Sequence, residues 1–256
     1  MNLNIKIPDS WDKLDQRRLK TVFKYLASGS FSVHQCKVLL AFNFGGIKYF
    51  GMNDEGAIVK IKDDLIVLSE DDLLAIAHSV DFIEDIPKYP VRLFEIKHRK
   101  AVHPLLNDLT FAQWLAVENF YWGFLETENI ALLNEILSIL YPKSGLFSRF
   151  VKAFDAKKLD YTHVNVIKWL SSFKLFISNR YKELFKNINT EDNYSPSSRQ
   201  LDIMESMNAQ IRALTKGDIT KKEAVLAMDV HSALTELDAL ALEARRLNES
   251  LKKSKK

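Results

Sequence analysis

The sequence predicts a mainly α-helical protein that has a small N-terminal α+β part, a multi-helix body and a C-terminal helical hairpin. Residues 109–141 are the most aromatic and apolar stretch, and they include no Lys or Arg. Apolar runs that alternate with polar residues, a pattern typical of strands, are confined to residues 1–100. Within residues 199–256 apolar residues recur at spacings of three and four, which is typical of amphipathic helices.

These patterns divide the 256 residues into four parts. Residues 1–100 are predicted to form the small α+β unit, and residues 101–190 are predicted to form the helical core. Residues 191–198 are predicted to be a linker, because Asn, Asp, Ser and Pro are concentrated there. Residues 199–256 are predicted to form the hairpin arm.

The N-terminal part is predicted to contain both strands and helices. Apolar residues alternate with polar ones over Leu3–Ile7 and predict a short strand. Ser10 is placed to be the N-cap of a helix that spans about residues 11–27. Two β-branched runs within 58–68 flank a polar turn and predict a β-hairpin. Ser69 follows the hairpin and is predicted to be the N-cap of a helix with an acidic first turn.

The aromatic stretch predicts two packed helices. Thr110 precedes the apolar run and is placed to be the N-cap of the first helix. A second helix is predicted over about 128–140, and the short polar link between them indicates an antiparallel pair. Each large aromatic side chain buries roughly 150–250 Å², so this stretch is expected to anchor the core. A further long helix is predicted from about 161 to 185.

Glu118 is the candidate acidic residue, because it lies on the apolar face of the first of these helices. One hypothesis is a functional carboxylate with a pKa that burial raises. The other is a structural carboxylate that reaches solvent or bonds to a Tyr or Trp donor. We favour the structural interpretation because no second catalytic group lies nearby in the sequence.

The C-terminal arm is predicted to consist of two helices of unequal length. The first spans about 198–215, and Thr220 with Glu223 has the spacing of a capping box that starts one long second helix. At about 1.5 Å per residue the helices are about 27 Å and about 45 Å long, so the end of the second lacks an internal partner. We therefore predict that this helix binds a partner through its apolar stripe, Leu234, Leu237, Ala241, Ala244, Leu247 and Leu251.

Charge is distributed unevenly, although the formal net charge is only +3. Residues 101–141 carry five acids and no bases, whereas residues 142–190 carry ten bases and three acids. This separation indicates that acidic and basic segments lie near each other or form opposite faces of an assembly. The alternative function is a nucleic-acid-associated protein that uses the basic segment 142–190, where bases interleave with Trp169, Phe173 and Tyr181. Since these aromatics have helical spacing, we interpret them as core residues and favour a protein partner.

The sequence indicates no catalytic, metal or cofactor site. Motifs for phosphate-binding loops, dinucleotide binding, zinc proteases and serine hydrolases are absent. The His residues are scattered and Cys36, interpreted as a core thiol, is the single cysteine, so neither a metal cluster nor an internal disulfide is expected. No signal-peptide pattern and no run of about 18 apolar residues occurs, so no membrane span is expected. The expectation is a protein that is not an enzyme.

Four phrases in the chain carry a family resemblance. They are IPDSWDKL near the start, FNFGGIK near residue 45, LTFAQWLAVENFYWGF in the middle and MESMNAQIRALTKGDITKKEAVLAMDVHSALTELDALA near the end. Together they resemble a family that phages and prophages encode among their tail and structural genes. The resemblance implies a virion-associated or tail-assembly role in the host cytoplasm or virion, with other phage structural or assembly proteins, or further copies of this chain, as partners. It implies no site residues.

Overall fold

The computed structural model describes residues 7–143, 152–186 and 196–254, with the backbone alone for 196–203. The chain is mainly helical, and a small antiparallel sheet lies near the N-terminus, so the predicted fold class is confirmed. Two compact units form. The first comprises Met1–Pro87, Val91–Phe94 and Leu159–Trp169, and the second comprises Lys88–Pro90, Glu95–Lys158 and Leu170–Lys256.

The first unit combines helices with a three-stranded sheet. Its regular elements are α1 (Gln16–Ala27), α2 (Val33–Gly45), β1 (Lys48–Asn53), β2 (Gly56–Ile61), β3 (Asp64–Leu68) and α3 (Glu70–His78). The N-terminal half of a later helix, α6 (Tyr161–Arg180), also belongs to this unit as far as Trp169.

The sheet is antiparallel, with strand order β1-β2-β3. The predicted hairpin is confirmed as β2 and β3, which turn through Lys62 and Asp63, whereas β1 was not predicted. One face of the sheet buries Ala57, Val59 and Leu68 against side chains that include Phe42 and Ile47. Alternation along β2 therefore places its small and β-branched residues in the core of this unit.

Two helix starts in the first unit test the capping predictions. Ser69 caps α3 as predicted, and its hydroxyl accepts from the backbone N–H of Asp72. The predicted helix over 11–27 was wrong at its start: residues Trp11–Lys13 form a 3-10 turn, and α1 begins after Asp15. The Asp15 side chain accepts from the backbone N–H of Arg18, whereas Ser10 makes no cap bond and its hydroxyl donates to Asp9.

The second unit is helical apart from a two-residue strand pair. Its elements are β4 (Glu95–Ile96), β5 (Arg99–Lys100), α4 (Phe111–Thr127), α5 (Ile130–Leu140), the part of α6 from Leu170 onward, α7 (Pro196–Thr215), α8 (Lys222–Ala227) and α9 (Val230–Ser254). The aromatic helix α4 is central to this unit, since it contacts α5, α7, α8 and α9. Thr110 is the N-cap of α4 in a full capping box, as predicted.

The single long C-terminal helix was a wrong prediction. Helix α8 ends at Ala227, the chain is extended at Met228, and α9 begins at Val230 with the Asp229 carboxylate accepting from Ser232 N–H. The Thr220–Glu223 capping box is also absent, because the Thr220 hydroxyl donates to Asp218.

A backbone contact with α4 accounts for the break between α8 and α9. The N–H of Phe111 donates to the Met228 carbonyl at 2.7 Å, and the N–H of Val230 donates to the Leu109 carbonyl at 3.2 Å. The helical spacing of the side chains is the same on both sides of the break, which is why the sequence did not reveal it.

The observed units differ from the predicted four-part division. The C-terminal helices belong to the second unit together with Glu95–Lys158, and α6 contributes residues to both units. Residues 191–195 of the predicted linker and residues 3–6 of the predicted strand lie outside the described residues, and Pro196 already belongs to α7.

Candidate functional site

The predicted partner-binding stripe on α9 divides into a buried part and an exposed part. Leu234 and Leu237 are only 2% and 4% exposed, so the prediction that they meet a partner was wrong; they belong to the core of the second unit. Ala241 is half-buried and Ala244 is exposed. Leu247 and Leu251 are 61% and 50% exposed. The same face of one helix is therefore covered at its start and open at its end.

Within the described residues, the last ion pair or hydrogen bond between α9 and the rest of the second unit is the one made by Arg245. Asp238 accepts from the backbone N–H groups of Glu183 and Leu184 at 2.8 and 2.9 Å, and Arg245 Nη1 lies 2.9 Å from Glu183 Oε2. Among the described residues, no hydrogen bond or ion pair joins residues 246–254 to another element. At about 1.5 Å per residue, this distal segment of α9 is about 13 Å long.

The distal segment combines apolar and basic side chains. Leu247 and Leu251 are its exposed apolar residues, and Arg246, Lys252 and Lys253 are its exposed bases. Within the described ranges, no carboxylate forms an ion pair with any of these three bases. The segment carries three bases against one acid, Glu249, and therefore presents an apolar surface with excess positive charge beside it.

An open groove of about 600 Å³ lies elsewhere on the second unit, between the start of α5 and the segment 154–157. Its apolar lining includes Ile130, Ala131 and Phe154. Its acidic lining is Glu128, Glu135 and Asp155, and Lys157 is its one basic lining residue. Glu128 and Glu135 are exposed and form no ion pair in the part of the chain that is described, whereas Asp155 lies 3.8 Å from Lys97.

Glu118 is not a solitary carboxylate, because α6 brings Lys174 to it. Lys174 Nζ lies 3.0 Å from Glu118 Oε2, and the same ammonium lies 4.8 and 4.9 Å from the ring centres of Tyr121 and Trp122. Burial raises the pKa of the Glu118 carboxyl, and the charge and hydrogen bond of Lys174 offset part of that rise. Neither the groove at the start of α5 nor the groove at Tyr89 is lined by Glu118 or Lys174. This favours the structural interpretation of Glu118.

His231 occupies the start of α9 with both ring nitrogens bonded. Its Nε2 lies 2.7 Å from the Leu105 carbonyl, and its Nδ1 lies 2.8 Å from the Tyr181 hydroxyl. Because a carbonyl only accepts, Nε2 carries the hydrogen, and in the neutral ring Nδ1 accepts from Tyr181. This His therefore joins the loop at Leu105, the end of α6 and the start of α9, which is a structural role.

The basic segment proposed for nucleic acid is partly committed to internal contacts. Trp169 and Phe173 are fully buried and Tyr181 is 4% exposed, so the core interpretation of these aromatics is confirmed. Lys168 Nζ bonds to the Ile83 and Asp85 carbonyls. Since Lys174 is also paired, fewer bases of this segment face solvent than its composition indicates.

A second groove of about 630 Å³ includes one exposed base of this segment, Arg180. It is lined by Lys88, Tyr89, Leu175, Phe176, Asn179 and Arg180. Tyr89 is 73% exposed, and the Arg180 guanidinium lies over the Phe176 ring at 6.0 Å. The sequence pointed to the wrong aromatics here, because Tyr89 is distant from the basic segment along the chain.

No group of three or more His, Cys, Asp or Glu side chains within the described ranges is arranged to hold a metal ion. None of the described helices is long and apolar enough to cross a bilayer. Cys36 is buried, and burial raises the pKa of its thiol, in line with the core role predicted for it.

Comparison of the chain with protein-family models, with curated proteins and with solved structures found no match.

Proposed function

We propose that this protein is a non-enzymatic phage structural or tail-assembly protein that acts through protein–protein contacts. The contact arm is the distal segment of α9, residues 246–254. One observation carries the proposal: α9 continues past its last tie at Arg245 and leaves Leu247 and Leu251 exposed. Exposed leucines one turn apart on a helix favour association, because covering their apolar surface with a second protein removes it from water.

The setting of this contact comes from the resemblance to the phage-encoded family. Under this proposal the protein acts in the host cytoplasm or in the virion, beside other phage structural or assembly proteins. The partly buried Glu118–Lys174 pair supports a structural use of the ionisable residues in the aromatic helix, because each charge is committed to the other.

Removal of the arm tests the proposal without disturbing the core. A chain truncated after Arg246 retains Leu234 and Leu237, which are buried, and should keep the unfolding temperature of the full chain. The double variant L247S/L251S makes the same test with the length unchanged, and L65S is the matched control because Leu65 is an equally exposed leucine in the first unit.

The measurement is recovery of each form in particles purified after phage induction, by quantitative mass spectrometry, together with mass in solution by light scattering. We expect the full chain and L65S to be recovered in particles or assembly intermediates, and the two arm variants to be lost from them. Equal recovery of all four forms would show that the arm makes no functional contact.

Binding of single-stranded nucleic acid is the second candidate function. It is favoured by the groove where exposed Tyr89 lies with Lys88 and Arg180, since a stacking ring beside cations suits a base and its phosphates. Anisotropy of a labelled oligothymidylate should rise on binding and fall steeply between about 50 and about 200 mM salt. The variant Y89A should weaken binding, whereas Y49A, which removes an exposed Tyr of the first unit, should not.

A further inference from the structure

The distal segment of α9 and the acidic groove at the start of α5 have complementary chemistry. The segment offers Leu247 and Leu251 with exposed bases at Lys252 and Lys253. The groove offers an apolar lining with two unpaired carboxylates, those of Glu128 and Glu135. The bases of the segment are therefore opposite in charge to the carboxylates of the groove, and both surfaces also offer apolar side chains.

Among the residues that the structure describes, neither surface is covered by another part of the same chain. The groove remains open with a volume of about 600 Å³, and the leucines of the distal segment remain at least half exposed. The distal segment of α9 therefore does not fill the groove of its own chain. A separate molecule that carries the same arm would satisfy both surfaces.

We propose that the distal segment of α9 in one copy docks into the acidic groove of a second copy. This inference rests on the proposed function and names the partner of its contact arm. Leu247 and Leu251 lie over Ile130 and the neighbouring apolar lining, and Lys252 and Lys253 pair with the carboxylates of Glu128 and Glu135.

The contact is heterologous, because each copy uses its arm for one neighbour and its groove for another. Copies therefore associate head to tail and form a ring if the rotation closes or an open chain if it does not. The pairing of exposed charges makes the association sensitive to salt, since ions screen such pairs strongly. The acidic stretch and the basic end of the sequence thus act as opposite faces of an assembly.

Charge reversal on each side gives a specific test. The arm variant is K252E/K253E and the groove variant is E128K/E135K. The matched controls are K221E/K222E and E205K/E236K, which make the same charge changes at exposed positions away from both surfaces. Sedimentation velocity over a concentration series measures association, and circular dichroism confirms that each variant is folded.

We expect the full chain and both controls to associate with rising concentration, and each reversal variant to weaken association by at least tenfold. Mixing the arm variant with the groove variant should restore association, with copies of the two variants alternating along the assembly. In that mixture the intact arm of the groove variant meets the intact groove of the arm variant, and the two reversed surfaces also match.

Three results would overturn the inference. The full chain could stay monomeric at every concentration, the controls could lose association as much as the reversal variants, or the mixture could fail to restore it. If L247S/L251S is lost from purified particles while self-association is unchanged, the arm binds a different protein; this inference then fails and the proposed function stands.

Discussion

Lys174 Nζ lies 3.0 Å from Glu118 Oε2, and the two side chains are 26% and 19% exposed. The pair joins α4 to α6 in the second unit, with the rings of Tyr121 and Trp122 on the ammonium. Two charges in such a setting stabilise the fold only while both are present, because a lone buried charge is costly.

Removal of one partner of this pair should therefore be more damaging than removal of both. We expect E118Q and K174M each to lower the free energy of unfolding by about 3 kcal/mol, measured by urea denaturation. The double variant E118Q/K174M should lose clearly less than the sum of the two. Strict additivity of the single losses would show that the charges do not interact.

Acid should remove the contribution of Asp160, which starts α6. The carboxylate accepts from the N–H and hydroxyl of Thr162 at 2.8 and 2.5 Å and lies 3.0 Å from His163 Nδ1. Burial alone would raise the pKa of Asp160, but these partners outweigh it and hold the pKa well below its ordinary value of 3.8. A lowered pKa in the folded state gives stability that is present above about pH 4 and is lost as the pH falls further.

The variant D160N should consequently be less stable than the parent at neutral pH by about 1 kcal/mol, because a neutral amide oxygen replaces the charged acceptor of these hydrogen bonds. The difference should shrink as the pH falls below about 4, because the parent then loses its own carboxylate. Denaturation series at several pH values measure it, and D63N, at a fully exposed carboxylate, is the control. A difference that grows in acid would contradict the assignment.

Gly56 allows the start of β2 to lie close to the end of β3. Its φ is +145°, and a Cβ built there would lie 2.0 Å from the Leu68 carbonyl oxygen, which is backbone and cannot move aside alone. We expect G56A to destabilise the first unit by more than about 2 kcal/mol. Gly29, with φ +60° and open space around it, is the control, and G29A should cost about 1 kcal/mol. Hydrogen exchange of β2 and β3 amides measures both, and equal protection in the two variants would refute the clash.

The Tyr181 hydroxyl should be needed to keep His231 in one tautomer. In Y181F, Nδ1 loses its donor while Nε2 keeps the Leu105 carbonyl. We expect a loss of about 1 kcal/mol in unfolding free energy and a shift of the Nδ1 resonance in ¹⁵N spectra. Y25F is the control, since no hydrogen bond of the Tyr25 hydroxyl occurs among the described residues. An unchanged Nδ1 resonance in Y181F would contradict the bond.

The parts of the fold that the sequence predicted are those set by local physics. The caps at Ser69 and Thr110 depend on backbone groups three residues away, and the hairpin turns through residues directly between its strands. The start of α1 was predicted at Ser10 because the residues Asp9 to Asp15 offer more than one plausible cap.

The candidate site depended on contacts between distant residues, so the sequence revealed only part of it. The His231 bond to Leu105 spans 126 positions, and the Lys174 partner of Glu118 lies on another helix. The apolar stripe of α9 was correctly recognised as helical, but periodicity is the same where the chain covers it at Leu234 and where it leaves Leu247 open. The two parts differ in that the segment after α6 contacts α9 as far as the Arg245–Glu183 ion pair, which lies before Leu247.

The seam between the starts of α4 and α9 has a practical consequence. Backbone bonds of Phe111 and Val230, with the buried Leu234 and Leu237 beside them, hold the C-terminal helices to the body independently of the peptide chain that leads into α7. Expressed as two polypeptides divided between residues 186 and 196, the halves should reassemble spontaneously. The protein would then serve as a split reporter whose smaller fragment contains helices α7, α8 and α9.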